Sequence, residues 1–200
     1  MNVPDTATAT LLVVPSISPA DKTVCTDLLV RGTEEPPNVL HVDFVRTPRE
    51  RVRDWQLSDS HPADLAILHV DTYTRGADAG AEAGADTYSE LSPVVETIQN
   101  PSDLTGLGVA LTKCLERWED DERPGRVCFH SISALLHYVD LSAAFQFLNV
   151  VRGQLARADV TGHFHVQPGA HGDKTLNKLY PLFDAIVEVD VDGDVEVTAR

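Results

Sequence analysis

The sequence predicts an α/β domain built on a mostly parallel β-sheet with helices on both faces. Short runs of β-branched residues alternate with stretches of helical periodicity, a pattern typical of parallel sheets covered on both sides. At the C-terminus, Asp192-Gly193 separates two alternating runs and predicts an antiparallel hairpin. A chain of 200 residues with 42% hydrophobic residues can form one full core, so we predict a single domain over residues 1–200.

The alternation resolves into strands and helices in a regular order. The predicted strands are 10–15, 38–45, 65–70, 94–98, 126–130, 160–166, 184–190 and 194–198. The predicted helices are 20–31, 48–56, 102–118, 132–138, 141–157 and 173–182.

Several helix starts carry their own capping signals. Thr47-Pro48-Arg49-Glu50 combines an N-cap hydroxyl, a proline at the first helical position and a capping glutamate. Asp140 precedes a helix with an apolar stripe, and Ser102 or Asp103 precedes another. These residues therefore fix the predicted helix boundaries.

Acidic residues dominate the charge of the chain. There are 31 acidic and 16 basic residues, which gives a net charge of −15, and the acid is dispersed along the chain. Such a dispersed excess resembles the surfaces of salt-loving archaeal proteins, so we expect a halophilic protein. It also disfavours nucleic-acid binding through a basic patch. A small, acidic, low-complexity stretch predicts a mobile Gly/Ala-rich loop over about 74–90.

The remaining composition points to a protein of the cytoplasm. No apolar run approaches the roughly 18–20 residues of a membrane span, and the N-terminus lacks the pattern of a secretory signal. Cys25, Cys114 and Cys128 are widely spaced, odd in number and set in apolar contexts. We therefore expect small buried thiols rather than a disulfide framework or a metal knuckle.

One segment is similar to a phosphate-binding loop that lacks its glycines. Residues 16–23 read SISPADKT, between a predicted strand and a predicted helix. A P-loop has the pattern G-x-x-x-x-G-K-[ST] in the same setting. Lys22 and Thr23 match its lysine and hydroxyl, but Ser16 and Asp21 replace the glycines that let the backbone wrap a phosphate. Asp21 also adds negative charge where an anion would bind.

With this order of elements, the chain resembles the KaiC/RecA-like ATPases, in particular an uncharacterised haloarchaeal branch of them. Besides the Lys22-Thr23 pair, the resemblance rests on 38–48 (NVLHVDFVRTP) and 126–135 (RVCFHSISAL), which are similar to the second strand and the metal-coordinating strand of the family. It implies a RecA-like P-loop NTPase fold, with strand 10–15 central and flanked by 160–166 and 126–130.

The catalytic positions that the resemblance implies are altered. Where the family has a pair of glutamates before Thr-Pro, this chain has Val45 and Arg46, and valine cannot activate water. The aspartate that supports Mg²⁺ corresponds to His130, a poor ligand for a hard cation. Loss of the loop, the metal support and the water base together predicts a protein that does not hydrolyse nucleotide.

Two kinds of site remain open on the sequence alone. If ATP or ADP with Mg²⁺ binds, the candidate residues are Ser16, Ser18, Asp21, Lys22, Thr23 and Gln167. The alternative is that Lys22 and Thr23 only open a helix.

A metal site is the second possibility. His163 and His165 lie two apart on a predicted strand and so share a face, and His130 ends the strand expected beside it. The alternative is that these histidines form local hydrogen bonds.

We expect a degenerate ATPase-family protein that acts as a regulatory or scaffolding subunit, through a protein partner or a homo-oligomer, with no membrane association. Two alternatives stay open. One is a nucleotide-binding switch or slow ATPase with a non-standard loop, and the other is a histidine-dependent metal site.

Overall fold

A single eight-stranded sheet organises the part of the chain that the computed structural model describes, residues 2–15, 18, 20–72 and 92–199. Ser16 and the loop predicted at about 74–90 lie outside these residues. The strands are β1 (Ala9–Val13), β2 (Asn38–Asp43), β3 (Asp64–Val70), β4 (Val94–Ile98), β5 (Gly125–His130), β6 (Thr161–Val166), β7 (Ala185–Val189) and β8 (Val195–Ala199). Their order across the sheet is β4-β3-β2-β5-β6-β1-β7-β8.

The strand pairing confirms the predicted α/β class. All neighbours from β4 to β7 are parallel, and only β8 runs antiparallel, against β7. Gly193 lies in the turn of this hairpin with a φ of 90°, a conformation that favours glycine. The Asp192-Gly193 signal therefore identified the turn correctly.

Within the described ranges, six α-helices connect the strands, as the periodicity predicted. They are α1 (Asp21–Val30), α2 (Pro48–Gln56), α3 (Leu104–Glu116), α4 (Ile132–Leu135), α5 (Leu141–Arg157) and α6 (Asp173–Leu179). Thr47 and Glu50 form the predicted capping box of α2, while Asp103 and Asp140 cap α3 and α5 through their side chains. In the described residues, no helix combines the length and apolarity needed to cross a membrane.

Of the two strands predicted to flank β1, one is correct and one is wrong. β6 does flank β1, but the other neighbour is β7, and β5 pairs with β2 and β6 instead. The connection through α4 and α5 places β6 directly beside β5, on the side that faces β1, so β6 separates the two strands. The chain then returns through α6 to add β7 at the free edge of β1.

The two faces of the sheet have different cores. The face covered by α3, α4, α5 and α6 carries one large apolar cluster. Its centre is Phe129, whose ring contacts Phe44, Phe147 and Phe164 at centroid distances of 5.6, 6.3 and 5.6 Å. The face covered by α1 and α2 carries two smaller clusters, and polar side chains fill the space that the apolar ones leave.

Truncation of Phe129 should therefore be severe. Phe129 is fully buried, so Phe129→Ala leaves a cavity among three aromatic rings and should cost about 3–5 kcal/mol of unfolding free energy. Chemical denaturation measures this loss. The matched control is Phe145→Ala on α5, whose ring is 37% exposed and which should change stability much less. Equal losses for both variants would contradict the packing described above.

Candidate functional site

Polar residues occupy alternate positions in three adjacent central strands. Side chains two apart on a strand share a face, and here that face lies beneath α1 and α2. The six buried residues are His41 and Asp43 in β2, Cys128 and His130 in β5, and His163 and His165 in β6. The strand register sets His41 beside Cys128 and Cys128 beside His163. A polar row therefore crosses the middle of the sheet.

Cys25 of α1 completes a compact cluster on this face. Its Sγ lies 3.5 Å from Cys128 Sγ and 3.2 Å from His163 Nε2, and Cys128 Sγ lies 3.5 Å from His165 Nε2. One donor atom from each of these four residues falls within 4.8 Å of the other three. All four side chains are buried, with exposed fractions between 0% and 4%. This set of residues could hold a metal ion.

The electrostatics of the cluster follow from its contacts. A hydrogen bond from Cys128 lowers the pKa of Cys25, whereas burial and the nearby Cys25 raise that of Cys128. Of the two thiols, Cys25 is therefore the more readily ionised. Burial lowers the pKa of His163, so its ring is neutral.

His165 links this cluster to Asp21 at the start of α1. Its Nδ1 lies 3.1 Å from Asp21 Oδ1. Burial disfavours the charged ring, but the contacts with Asp21 and Cys25 outweigh burial and raise the pKa of His165 to about 9. Asp21 and His130 form a second possible donor set with His165. The His130 and His165 rings meet edge to face, with centroids 4.6 Å apart.

A buried ion pair lies at the end of β2. Arg51 of α2 donates from Nε to Asp43 Oδ2 at 2.5 Å, and Asp43 Oδ1 accepts the backbone N–H groups of Val45 and Arg46 at 2.9 and 2.7 Å. His130 Nδ1 lies 3.6 Å from the same carboxylate. Burial opposes ionisation, but Arg51 and His130 hold the pKa of Asp43 well below its usual range.

The residues at the candidate phosphate site are engaged in an ion-pair network. Lys22 Nζ lies 2.6 Å from Asp54 Oδ1. Arg46 bridges Asp54 Oδ2 at 2.6 Å and Asp21 Oδ2 at 3.0 Å. The lysine and the aspartate that the sequence placed in the loop therefore pair with α2 and its entry turn.

The other predicted nucleotide residues are scattered around this edge. Ser18 accepts the Ala20 N–H at 3.3 Å, and Thr23 is exposed. Gln167 follows β6, and its backbone N–H donates to Ser133 Oγ at 2.9 Å. Val45 is 58% exposed. Arg46 and Asp54 occupy the space beside α1.

Ser133 has a histidine partner that the sequence did not reveal. Its Oγ lies 2.9 Å from His171 Nε2. Ser133 is only 2% exposed, and its oxygen already accepts the Gln167 N–H. This contact therefore ties the segment after β6 to α4 and does not present a nucleophile.

Cys25 and Cys128 are the members of the site that sequence reasoning missed. Both are buried thiols, as expected, but they meet each other and two histidines. The signal was alternation in the strands, CFH at 128–130 and HFH at 163–165, where a buried central strand normally reads as a continuous apolar run. Cys25 has no comparable signal, because its position opposite Cys128 depends on how α1 crosses the sheet.

Comparison with known proteins identifies a family. The family model described as "Family of unknown function (DUF7504)" matches residues 8–189. The chain belongs to this family. No curated protein matches the sequence.

Solved structures show the same architecture at low sequence identity. An uncharacterized protein from Pyrococcus horikoshii, PH0321, was solved in complex with an unknown peptide. It is 12% identical with a TM-score of 0.59, over 99% of this chain and 85% of that one. The protein studied as PH0250 from Pyrococcus horikoshii OT3 is also 12% identical, with a TM-score of 0.57 over 94% and 84% of the two chains. At this identity the likeness shows the fold alone.

Removal of Arg51 should strongly destabilise the domain. Arg51→Met leaves the Asp43 carboxylate buried without its cation, which should cost about 3–5 kcal/mol of unfolding free energy. The double variant Asp43→Asn with Arg51→Met removes both charges and should recover part of this loss. Urea titration of Arg51→Met, Asp43→Asn and the double variant gives the coupling energy, and a purely additive result would contradict a direct pair. The control is Arg53→Met, at an exposed position of α2.

Acid should destabilise the protein partly through Asp43. Its folded pKa is depressed below the unfolded value of about 3.9. The stabilisation is therefore fully present above that value and is lost progressively as the pH falls below about 4. Unfolding free energies measured from pH 7 downwards should fall less steeply for Asp43→Asn than for the natural chain. Parallel curves would show that Asp43 titrates normally in the fold.

Proposed function

We propose that this protein is a degenerate, non-hydrolysing relative of the RecA/KaiC-like ATPases that acts as a regulatory or scaffolding subunit by binding another protein chain. The observation that carries the proposal is the ion-pair network at the start of α1. Lys22, which a P-loop protein uses for phosphate, lies 2.6 Å from Asp54. A phosphate would have to displace this carboxylate to reach the lysine.

Asp21 also opposes phosphate binding at the start of α1. The N-terminus of a helix attracts anions because its free N–H groups and dipole present positive charge. Here Asp21 puts a carboxylate in the first turn of α1, and that carboxylate contacts Arg46 and His165. A phosphate arriving at this helix would meet a negative charge whose cations are already engaged.

The space beside these residues is also small. The cavity bounded by Asp21, Lys22, Arg46 and Asp54 has a volume of about 20 Å³, which suits a single water molecule. Ligand pockets for molecules of nucleotide size are typically about 300–1,000 Å³. A nucleotide could enter this cavity only if α2 moved away from α1.

Two observations favour interaction over catalysis. Val45 and Arg46 stand where the resemblance calls for glutamates, and Arg46 serves the ion-pair network. PH0321, which shares the fold, was solved with an unknown peptide, so a peptide ligand is compatible with this architecture. A protein that binds a partner chain requires neither the phosphate loop nor the water base.

The proposal predicts no nucleotide response. Thermal unfolding in molar KCl should be unchanged by millimolar ATP or ADP, with or without Mg²⁺, because Asp54 retains Lys22. A ligand present at a hundredfold excess over its Kd would add about 2.7 kcal/mol, so real binding would be visible. A rise in Tm that disappears in Lys22→Ala but persists in the surface control Lys113→Ala would instead support a nucleotide-binding switch.

The interaction half of the proposal has a separate test. Light scattering on the purified chain should give a defined oligomer, or purification from its own cells should yield a stoichiometric partner that reassociates in isolation. A strictly monomeric chain that captures no such partner would overturn the scaffolding role even if nucleotide binding were also absent.

A further inference from the structure

We propose that Cys25, Cys128, His163 and His165 form a buried structural site for a tetrahedral transition-metal ion, with Zn²⁺ as the ion that fits best. The site is independent of the proposed interaction role. It joins α1 to β5 and β6, beneath the helix that a P-loop protein uses to carry its phosphate loop.

The donor spacing suits a tetrahedral ion. With Zn–S bonds of about 2.3 Å and Zn–N bonds of about 2.0–2.1 Å, tetrahedral geometry separates two sulfurs by about 3.8 Å, and sulfur from nitrogen by about 3.6 Å. The observed separations are 3.5 Å between the sulfurs, and 3.2 and 3.5 Å from sulfur to ring nitrogen. The other three separations are at most 4.8 Å, so small shifts of the side chains would seat an ion among the four atoms.

The charges of the four ligands also suit a divalent ion in a dry interior. When the ion displaces the remaining thiol and imidazolium protons, two thiolates and two neutral imidazoles neutralise Zn²⁺, so the filled site carries no net charge into the core. Thiolate and imidazole together are donors that select zinc over calcium or magnesium, which prefer oxygen. All four side chains are buried, which leaves no open coordination position. The geometry is therefore that of a structural site and not of a catalytic one.

The surroundings orient one ligand in the way that metal sites require. A ligating histidine usually gives its second ring nitrogen to a carboxylate, which fixes the ring and its tautomer. His165 directs Nε2 towards Cys128 and Nδ1 towards Asp21, whose Oδ1 lies 3.1 Å away. Asp21 is thus a positioning residue for the site. His130, which the sequence offered as a ligand, lies outside the four-residue set and faces Asp43 and His165.

Metal analysis and cobalt substitution test the site directly. Protein purified without a histidine tag should contain zinc in stoichiometric amount. After removal of zinc with a chelator, Co²⁺ should produce the visible d–d absorption of a tetrahedral complex and a near-ultraviolet thiolate charge-transfer band. Zinc should raise the Tm of the metal-free chain reversibly. A natural chain with no bound metal, no cobalt bands and no Tm response would overturn the proposal.

Substitutions assign the ligands. Cys128→Ser and His163→Gln should abolish metal retention and the Tm response, and Cys128→Ser should also weaken the thiolate band. The matched control is Cys114→Ser, because Cys114 is a buried free cysteine on α3 outside the cluster. It should retain metal fully. If a variant does not fold, the thiolate band in the cobalt spectrum of the natural chain still shows whether cysteine binds the metal.

Two other results would refute the site. A Cys25–Cys128 disulfide in freshly purified protein, detected as a loss of two hydrogens in the intact mass, would show that the thiols pair with each other instead. A cobalt spectrum without a thiolate band would exclude the cysteines as ligands.

Discussion

The docking of α1 and α2 onto the sheet depends on pairing the polar side chains beneath them. A parallel sheet covered on both faces is normally lined by apolar side chains, and an isolated buried charge or polar group is costly. Here three helix residues each meet a polar strand residue. Arg51 pairs with Asp43, Trp55 Nε1 donates to His41 Nε2 at 2.9 Å, and Cys25 meets Cys128. The helices can occupy only the positions that satisfy these groups together.

This pairing requirement fixes where α1 and α2 dock more than it adds to the unfolding free energy. Buried ion pairs are often no more favourable than apolar side chains of the same size, but breaking one is expensive. The His41 contact works in the same way: burial and nearby Arg51 lower the pKa of His41 to about 3, so its ring stays neutral and Nε2 accepts a hydrogen bond from the Trp55 N–H group. In this acidic chain, with a net charge of −15, the arginines Arg46 and Arg51 therefore fix α2 and its entry turn.

The fold was largely accessible from the sequence because its signals are local. Alternation of periodicities, the Thr47-Glu50 capping box, Asp140 and the Asp192-Gly193 turn each depend on neighbouring residues, and each appears in the structure. The order of strands around β1 depends on crossovers and was predicted only in part. The site was harder to predict, because its residues are far apart in the sequence and meet only through the crossovers. His163 and His165 were visible as a pair on one strand, but Cys25 lies 103 residues from Cys128. Nothing local indicates that the two meet.

Asp21 belongs both to the ion-pair network behind the proposed function and to the proposed metal site. One oxygen contacts Arg46 at 3.0 Å and belongs to the network that occupies the phosphate side of α1. The other contacts His165 at 3.1 Å and belongs to the cysteine–histidine cluster. A glycine at this position would restore one feature of a P-loop, but it would release Arg46 and leave His165 without its carboxylate. Both oxygens of the Asp21 carboxylate are therefore engaged, one with Arg46 and the other with His165, and these contacts fix the start of α1 against α2 and the sheet.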